Sequence, residues 1–406
     1  MGMGPELPDD VVLHILSLLP FPFVQQARLV CRRWLSLSTS PSCVQLWISR
    51  HHPPAPSSSS PWLLIGRIRH GCAFSPPPRV WSLVMSSVST CDHQPPLCLS
   101  YPLPFPDYRV GASCSGAILL VHSDLFEWIK RNVPGGGAAP PLYLCNPFTS
   151  QHIVIASPGL MPLAFGISAD SCFTSFRIMS CGHPEGVAEL FDSAVGYWRL
   201  VPLPDPLFFA PDTCCYGVRD FVWWNGRFCT FISNSILTYD VHNDRWNSMR
   251  PPRSCHVFYS TLHVINDSLF MEGSFSRQGN DYHTFEIGIS QFDSISNDWL
   301  EVSFMPKAGA HALRQQSKFN RISRSMYTSF SDTDIDHLLF VLVAPFASNA
   351  KVTAVVYHVV SRSWTWANVS AAKLDSNDNG SLCNMKGLTY QPSFMALSSS
   401  SVSEEE

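Results

Sequence analysis

Between residues 7 and 35 the apolar positions follow a helical period. Leu7-Pro8-Asp9-Asp10 supplies a start, where Asp9 or Asp10 can cap the first turn and both carboxylates suit the positive end of a helix. Val12, Ile15, Leu16 and Leu19 follow at i, i+3, i+4 and i+7, which is one apolar face. Pro20 and Pro22 end that helix. A second helical stretch carries Ala27, Val30, Cys31, Trp34 and Leu35 on one stripe, with Arg28, Arg32 and Arg33 largely off it; Pro41 marks the next break. Residues 1–50 are thus expected to form two or three short amphipathic helices. A piece of that size buries too small a fraction of its surface to stand alone. It either caps a larger domain or docks on a partner.

Beyond a linker the pattern changes to short strand-like runs, and one phrase recurs. An aromatic residue precedes a polar one, and a Trp stands six positions further on: Phe191-Asp192…Trp198, Tyr239-Asp240…Trp246, Phe292-Asp293…Trp299 and Tyr357-His358…Trp364. Phe74-Ser75…Trp81 and Cys145-Asn146…His152 are weaker copies, the last without its Trp. Each copy reads as a strand, a turn and a second strand, a hairpin with an aromatic anchor. Asn225-Gly226 is a further hairpin signal between two strand-like runs. A repeat of about 50 residues with about four strands per unit predicts a mainly β fold, a kelch-type β-propeller. Six markers imply six blades, or seven if the long first interval holds another. Trp81, Trp198, Trp246, Trp299 and Trp364 are expected to pack between blades. The expected division is a helical module at 1–50, a Pro/Ser/His linker at 51–61, the propeller at 62–395 and a disordered acidic tail at 396–406.

The residues of the helical module resemble a known family. Leu7-Pro-Asp-Asp-Val-Val-Leu-His-Ile-Leu-Ser-Leu-Leu-Pro20, followed by Ala27-Arg-Leu-Val-Cys-Arg-Arg-Trp34, is similar to an F-box. The whole layout resembles the plant F-box/kelch class, and within it the floral-organ regulator group. Leu142 to Ser150 and Ile236 to Asp240 are similar to that class's recurrent phrases, although the double-Gly signature of typical kelch repeats is missing. The resemblance implies that Leu7, Pro8, Ile15, Leu16, Pro20, Val30, Cys31 and Trp34 face a Skp-family adaptor or pack the motif. It also implies a cullin-RING ubiquitin ligase beyond the adaptor, and an unidentified protein substrate held by the propeller.

Composition adds exclusions. The 406 residues carry a net charge of −4, which points to neither a nucleic-acid backbone nor an anionic membrane. Apolar residues make up 45% of the chain and charged residues 14%, enough for a large core. No secretory start and no membrane-length apolar run is visible, so the 14 cysteines read as free thiols in a reducing compartment, nucleus or cytoplasm.

Catalytic chemistry finds little support. Val133 to Pro141 lacks the Gly-Lys-Ser/Thr ending of a phosphate-cradling loop. Cys172, Cys181 and His183 lack a fourth ligand, and Cys214-Cys215 is a vicinal pair rather than a Cys-x-x-Cys motif. Asp332, Asp334 and Asp336 lack the Gly and terminal Glu of a calcium loop, and Arg314 to Arg324 is a basic patch of the solvated-loop kind. No metal, cofactor or catalytic residue is therefore expected, and the chain reads as a non-catalytic substrate receptor. A non-degradative transcriptional cofactor and a propeller enzyme are the competing readings; the enzyme would need a convergent ligand set that the sequence does not show. For substrate contact the residues of suitable type are Arg250, Arg253 and His256.

Overall fold

Short strand-forming runs separated by turn residues pair here with their neighbours in sequence, which is the arrangement that costs least in loop closure. The chain is seen in a computed structural model that describes residues 7–19, 23–24, 27–38, 40, 42–43, 46–47, 50, 62–67, 82–87, 98–102, 108–114, 117–122, 139–146, 151–159, 161–170, 174–183, 187–204, 221–232, 235–252, 255–276, 285–307, 327–330, 337–343, 352–368 and 387–390. The linker at 51–61, the acidic tail, Pro20, Trp81, Cys172, Cys214-Cys215, Arg253, the basic patch and the Asp332–Asp336 run lie outside those residues.

Two helices, α1 (Asp9–Leu18) and α2 (Arg32–Ser38), precede the strands. The strands among the described residues form six four-stranded antiparallel sheets. Five are consecutive in sequence. The first of these holds β4 (Tyr108–Cys114), β5 (Ala117–His122), β6 (Leu142–Asn146) and β7 (Gln151–Ile155). The next holds β8 (Met161–Ala169), β9 (Phe176–His183), β10 (Val187–Asp192) and β11 (Tyr197–Pro202). Then come β12 (Val222–Trp224), β13 (Arg227–Ile232), β14 (Ser235–Asp240) and β15 (Arg245–Met249). The following sheet has β16 (Cys255–Ile265), β17 (Ser268–Ser276), β18 (Phe285–Asp293) and β19 (Asp298–Phe304), and the fifth β20 (Tyr327–Phe330), β21 (His337–Val343), β22 (Val352–His358) and β23 (Ser363–Asn368). The sixth sheet joins the two ends of the strand region. Here β1 (Trp62–Arg67), β2 (Ser82–Ser87) and β3 (Cys98–Pro102) are preceded in sheet order by β24 (Gly387–Tyr390). Gly387–Tyr390 pairs antiparallel with Trp62–Ile65. The leading strands touch in series: β24 meets β4, β4 meets β8, then β12, β16 and β20 follow, and β20 meets β24.

The recurrent phrase is a hairpin between the third and fourth strands of a sheet. Asp192 Oδ1 accepts from the Ala194 N–H at 3.0 Å, Asp240 Oδ1 from Asn243 at 3.0 Å and Asp293 Oδ1 from Ile295 at 3.0 Å. Such a carboxylate closes the turn on its own backbone. Four positions on, Gly196, Asp244, Asn297 and Arg362 all have positive φ. The four-residue loop then sets the two aromatics opposite each other: Phe191 with Trp198, Tyr239 with Trp246, Phe292 with Trp299 and Tyr357 with Trp364. Their ring centroids are 5.5, 5.0, 5.4 and 4.9 Å apart, inside the range of favourable aromatic pairs. The six-residue spacing of the sequence is thus the length of this hairpin. The Phe74…Trp81 copy lies outside the described residues. The Asn225-Gly226 signal does form a turn, with both residues at positive φ (47° and 77°), as a two-residue hairpin of this twist requires.

The Trp side chains reach the preceding sheet. Trp198 Nε1 donates to the Ala156 carbonyl at 2.7 Å, Trp299 Nε1 to the Arg250 carbonyl at 2.8 Å and Trp364 Nε1 to Ser303 Oγ at 2.9 Å. Each acceptor lies four residues beyond the anchor position of the preceding sheet, His152, Trp246 or Trp299. Pro202 is the corresponding residue for Trp246, whose buried Nε1 has no partner among the described residues. There the link is made by Arg199, which donates to the Tyr239 hydroxyl at 2.7 Å and to Asp244 at 2.8 Å. Around these anchors the apolar core lies between sheets. Leu144 and Leu119 pack with Phe165 and Ile178 of the next sheet, and Cys229 and Ile236 with Leu269 and Met271. Gly166 permits one tight approach, because a Cβ there would stand 2.4 Å from Phe221 Cβ and 2.8 Å from the Phe221 carbonyl oxygen.

Two outcomes follow. Trp299→Phe keeps the ring but strands the Arg250 carbonyl, and should cost about 1 kcal/mol; Trp299→Ala should cost about 3–5 kcal/mol. Equal thermal unfolding of Trp299→Phe and the parent would rule out the inter-sheet bond as a contributor. The second concerns acid. The Asp240 carboxyl is held down to about 2, first by the Asn243 backbone N–H and then by the Asn243 side chain. A value depressed on folding stabilises above the unfolded carboxyl's range near ~4 and loses that contribution as pH falls through about 2. Melting followed from pH 5 to pH 2 should therefore be less acid-sensitive in Asp240→Asn, with a lower starting stability.

Candidate functional site

The helical module divides its apolar residues between a small core and the surface. Pro8 takes the position before α1 with φ −57° and ψ 152°, and no side chain caps the first turn. Asp9 and Asp10 therefore do not cap the helix as expected; the Leu-Pro start places both inside the first turn, where their charge still suits the helix end. Val12 and Leu16 are fully buried, and with Ala27 and Cys43 they form the core, with Leu13, Leu19, Trp34 and Leu37 packed against it. Trp47 is buried too, and its Nε1 donates to the Leu19 carbonyl at 2.9 Å, closing the end of α1.

The second stretch departs from a single stripe. Residues 28–30 form a turn, and α2 begins only at Arg32. The break rotates neighbouring residues apart. Ala27 is buried and Trp34 half-buried, but Leu29 is 86% exposed, Val30 63% exposed, and Cys31 and Leu35 are exposed as well. Arg28 goes the other way, inward, with Nε donating to Ser38 Oγ at 3.1 Å. On α1 and its approach, Leu7, Val11 and Leu18 are exposed at i, i+4 and i+11, one helical face opposite Val12 and Leu16. The module thus exposes apolar residues at a density unusual for so small a unit.

The eight residues singled out from the sequence separate accordingly. Leu7, Pro8, Val30 and Cys31 are on the surface; Leu16 is in the core; Ile15 and Trp34 lie half-buried between. Pro20 is outside the described residues. Val11, Leu18 and Leu29 belong with the exposed set and were not singled out, although the spacing of Leu7, Val11 and Leu18 carries the signal. Cys43 has its thiol pushed up by burial. In the sheets the thiols of Cys145, Cys181 and Cys229 are pushed up to about 12 by the same cause. They serve as apolar core residues. Of the three residues considered for substrate contact, the structure describes two. Arg250 is exposed just after β15, Arg253 lies outside the described residues, and His256 is placed by its backbone in β16 opposite Ser274.

Comparison with known proteins fits this division. Residues 5–46 match the F-box domain family. An F-box protein of Arabidopsis thaliana is 22% identical over 266 residues, 62% of this chain and 55% of its own length. A second Arabidopsis thaliana chain is 27% identical over 255 residues, 59% of this chain and 58% of its own. A third, again an F-box protein, is 24% identical over 330 residues, 74% of this chain and 71% of its own. The matches thus span little more than half the length of the first two relatives. Among solved structures, a chain from the crystal structure of a nidogen/laminin complex aligns over 82% of this chain and 99% of its own, at 7% identity and a TM-score of 0.44.

The division predicts opposite effects of two truncations. Leu16→Ala opens the core and should cost about 2–5 kcal/mol, read as faster amide hydrogen exchange in α1. Val30→Ala removes only exposed surface and should leave that exchange within about twofold of the parent; a matching acceleration in both would place Val30 in the core instead. The N-terminal module is thus matched to the F-box domain family, in a chain similar to F-box proteins of Arabidopsis thaliana.

Proposed function

We propose that this chain is the substrate-recognition subunit of an SCF-type cullin-RING ubiquitin ligase. Its F-box binds a Skp-family adaptor, and its six sheets act as the blades of a kelch-type propeller that holds a target protein. The observation that carries this reading is the exposed apolar set, Leu7, Val11, Leu18, Leu29, Val30 and Leu35, within a module matched to the F-box family. In support of the propeller stand the serial contacts of the leading strands, which return from β20 to β24. The pairing of β24 with β1 and the repeated Trp hairpins add to it. Division at the 51–61 linker, with the propeller at 62–395, belongs to the same proposal, as does residence in the nucleus or cytoplasm. The mechanism is proximity: a held target's lysines meet a charged ubiquitin thioester at raised effective concentration. The receptor performs no bond chemistry itself.

Co-expression of the full chain with a Skp-family adaptor tests the docking. The parent should co-purify, and Leu7→Ala/Pro8→Ala and Leu29→Ala/Val30→Ala should each reduce affinity by about tenfold or more, as loss of buried anchors does. Circular dichroism should show both variants folded. Failure of the folded parent to bind would reduce the module to a helical cap on the sheets. Target abundance that rises on proteasome inhibition supports the degradative role; insensitivity would favour a transcriptional cofactor.

A further inference from the structure

We infer that Arg33 is a positioning residue that fixes the Leu7–Pro8 leader of the docking surface through a clasp with Asp9. This rests on the docking reading above. Arg33 is the second residue of α2, three positions after exposed Val30. Its Nη2 donates to the Leu7 carbonyl at 2.5 Å and to Asp9 Oδ1 at 2.5 Å, and its Nε donates to the same Asp9 oxygen at 2.7 Å. One guanidinium therefore holds both the backbone just before α1 and the first side chain inside it. A planar fork can do this; an ammonium, a single point charge, cannot hold the same geometry.

The need for a clasp follows from the way α1 starts. With Pro8 at the capping position and no side-chain cap, the local anchor of the leader among the described residues is the Val12 N–H to Pro8 carbonyl bond at 3.1 Å. Unanchored leaders fray. Leu7 is about half exposed and apolar, so a frayed leader would have to be ordered each time a partner binds, and that ordering weakens binding. The pair is partly open to solvent, at 34% for Arg33 and 63% for Asp9. A pair that open adds little to global stability. Its effect is local: it sets where Leu7 sits relative to the start of α2.

The full chain and a Skp-family adaptor are the materials for the test, with Arg33→Ala, Asp9→Ala and the double variant. Each single change is expected to weaken adaptor binding about fivefold, with the double no worse than either, because both break one unit. Amide exchange at residues 9–12 of the free chain should quicken about tenfold, while the thermal midpoint stays put. An Arg33→Ala loss with Asp9→Ala neutral would show Arg33 touching the partner directly and overturn the positioning role. Unchanged exchange in Arg33→Ala would overturn it as well. A parent that does not bind the adaptor sinks the docking reading itself, whereas a parent that binds and is indifferent to Arg33→Ala sinks only the clasp.

Discussion

A four-stranded antiparallel sheet has two faces, and the sheets β4–β7, β8–β11 and β12–β15 bury apolar side chains on both. Neither face can be buried within the sheet itself, so each sheet depends on its neighbours. The contact that organises this is the aromatic pair at the end of the third-to-fourth hairpin, with its Trp indole turned toward the preceding sheet. Phe191 and Trp198 lie against the core shared with β4–β7, and Tyr357 and Trp364 against that shared with β16–β19. The indole provides large apolar area and one directional donor, which fixes how far one sheet can slide on the next. Where the donor has no partner, at Trp246, Arg199 ties the same two sheets through Tyr239 and Asp244. The clamp is thus a requirement of the interface that two different chemistries meet.

The helical module solves the opposite problem. It is too small to bury its apolar content, and its solution is a turn at residues 28–30 that separates Ala27 from Leu29 and Val30. An uninterrupted helix would have put Val30, Cys31 and Trp34 on one stripe and given the core a wider face. The break gives up some of that core and exposes apolar area that only association can cover. Core and exposed apolar residues are different side chains drawn from the same short segment, so the split between them is the main constraint on this part of the chain.

These features differed in how legible they were. The hairpin repeat was readable because each part has a local cause: a carboxylate that closes its own turn, a position of positive φ, and two aromatics set opposite by loop length. Strand content and five of the six hairpin markers followed from that, the sixth, Phe74–Trp81, lying outside the described residues. The buried half of α1 was readable from the spacing of Val12 and Leu16. What period alone could not show was the turn after Ala27, since no Pro or Gly marks it and helical spacing continues across it. The inward Arg28 and the Arg33 clasp depend on contacts between residues 10 and 24 positions apart, and no window of local pattern contains them. Substrate contacts are illegible for a related reason: the arginine and histidine types considered occur in ordinary loops, and nothing in their spacing makes them converge.

The pairing of Gly387–Tyr390 with Trp62–Ile65 has a consequence in time. The two strands are separated by about 320 residues, so at a synthesis rate of about 5–20 residues per second the partner of β1 emerges roughly 15–65 s after β1 itself. The helical module leaves the ribosome before all of this, with the residues of its core, Val12, Leu16, Ala27 and Cys43, already synthesised. Through that interval the nascent chain therefore carries β1 without the strand that pairs with its free side. A chain broken off before Gly387 would keep every core residue of its helical module and lose the pairing that joins the two ends of its strand region.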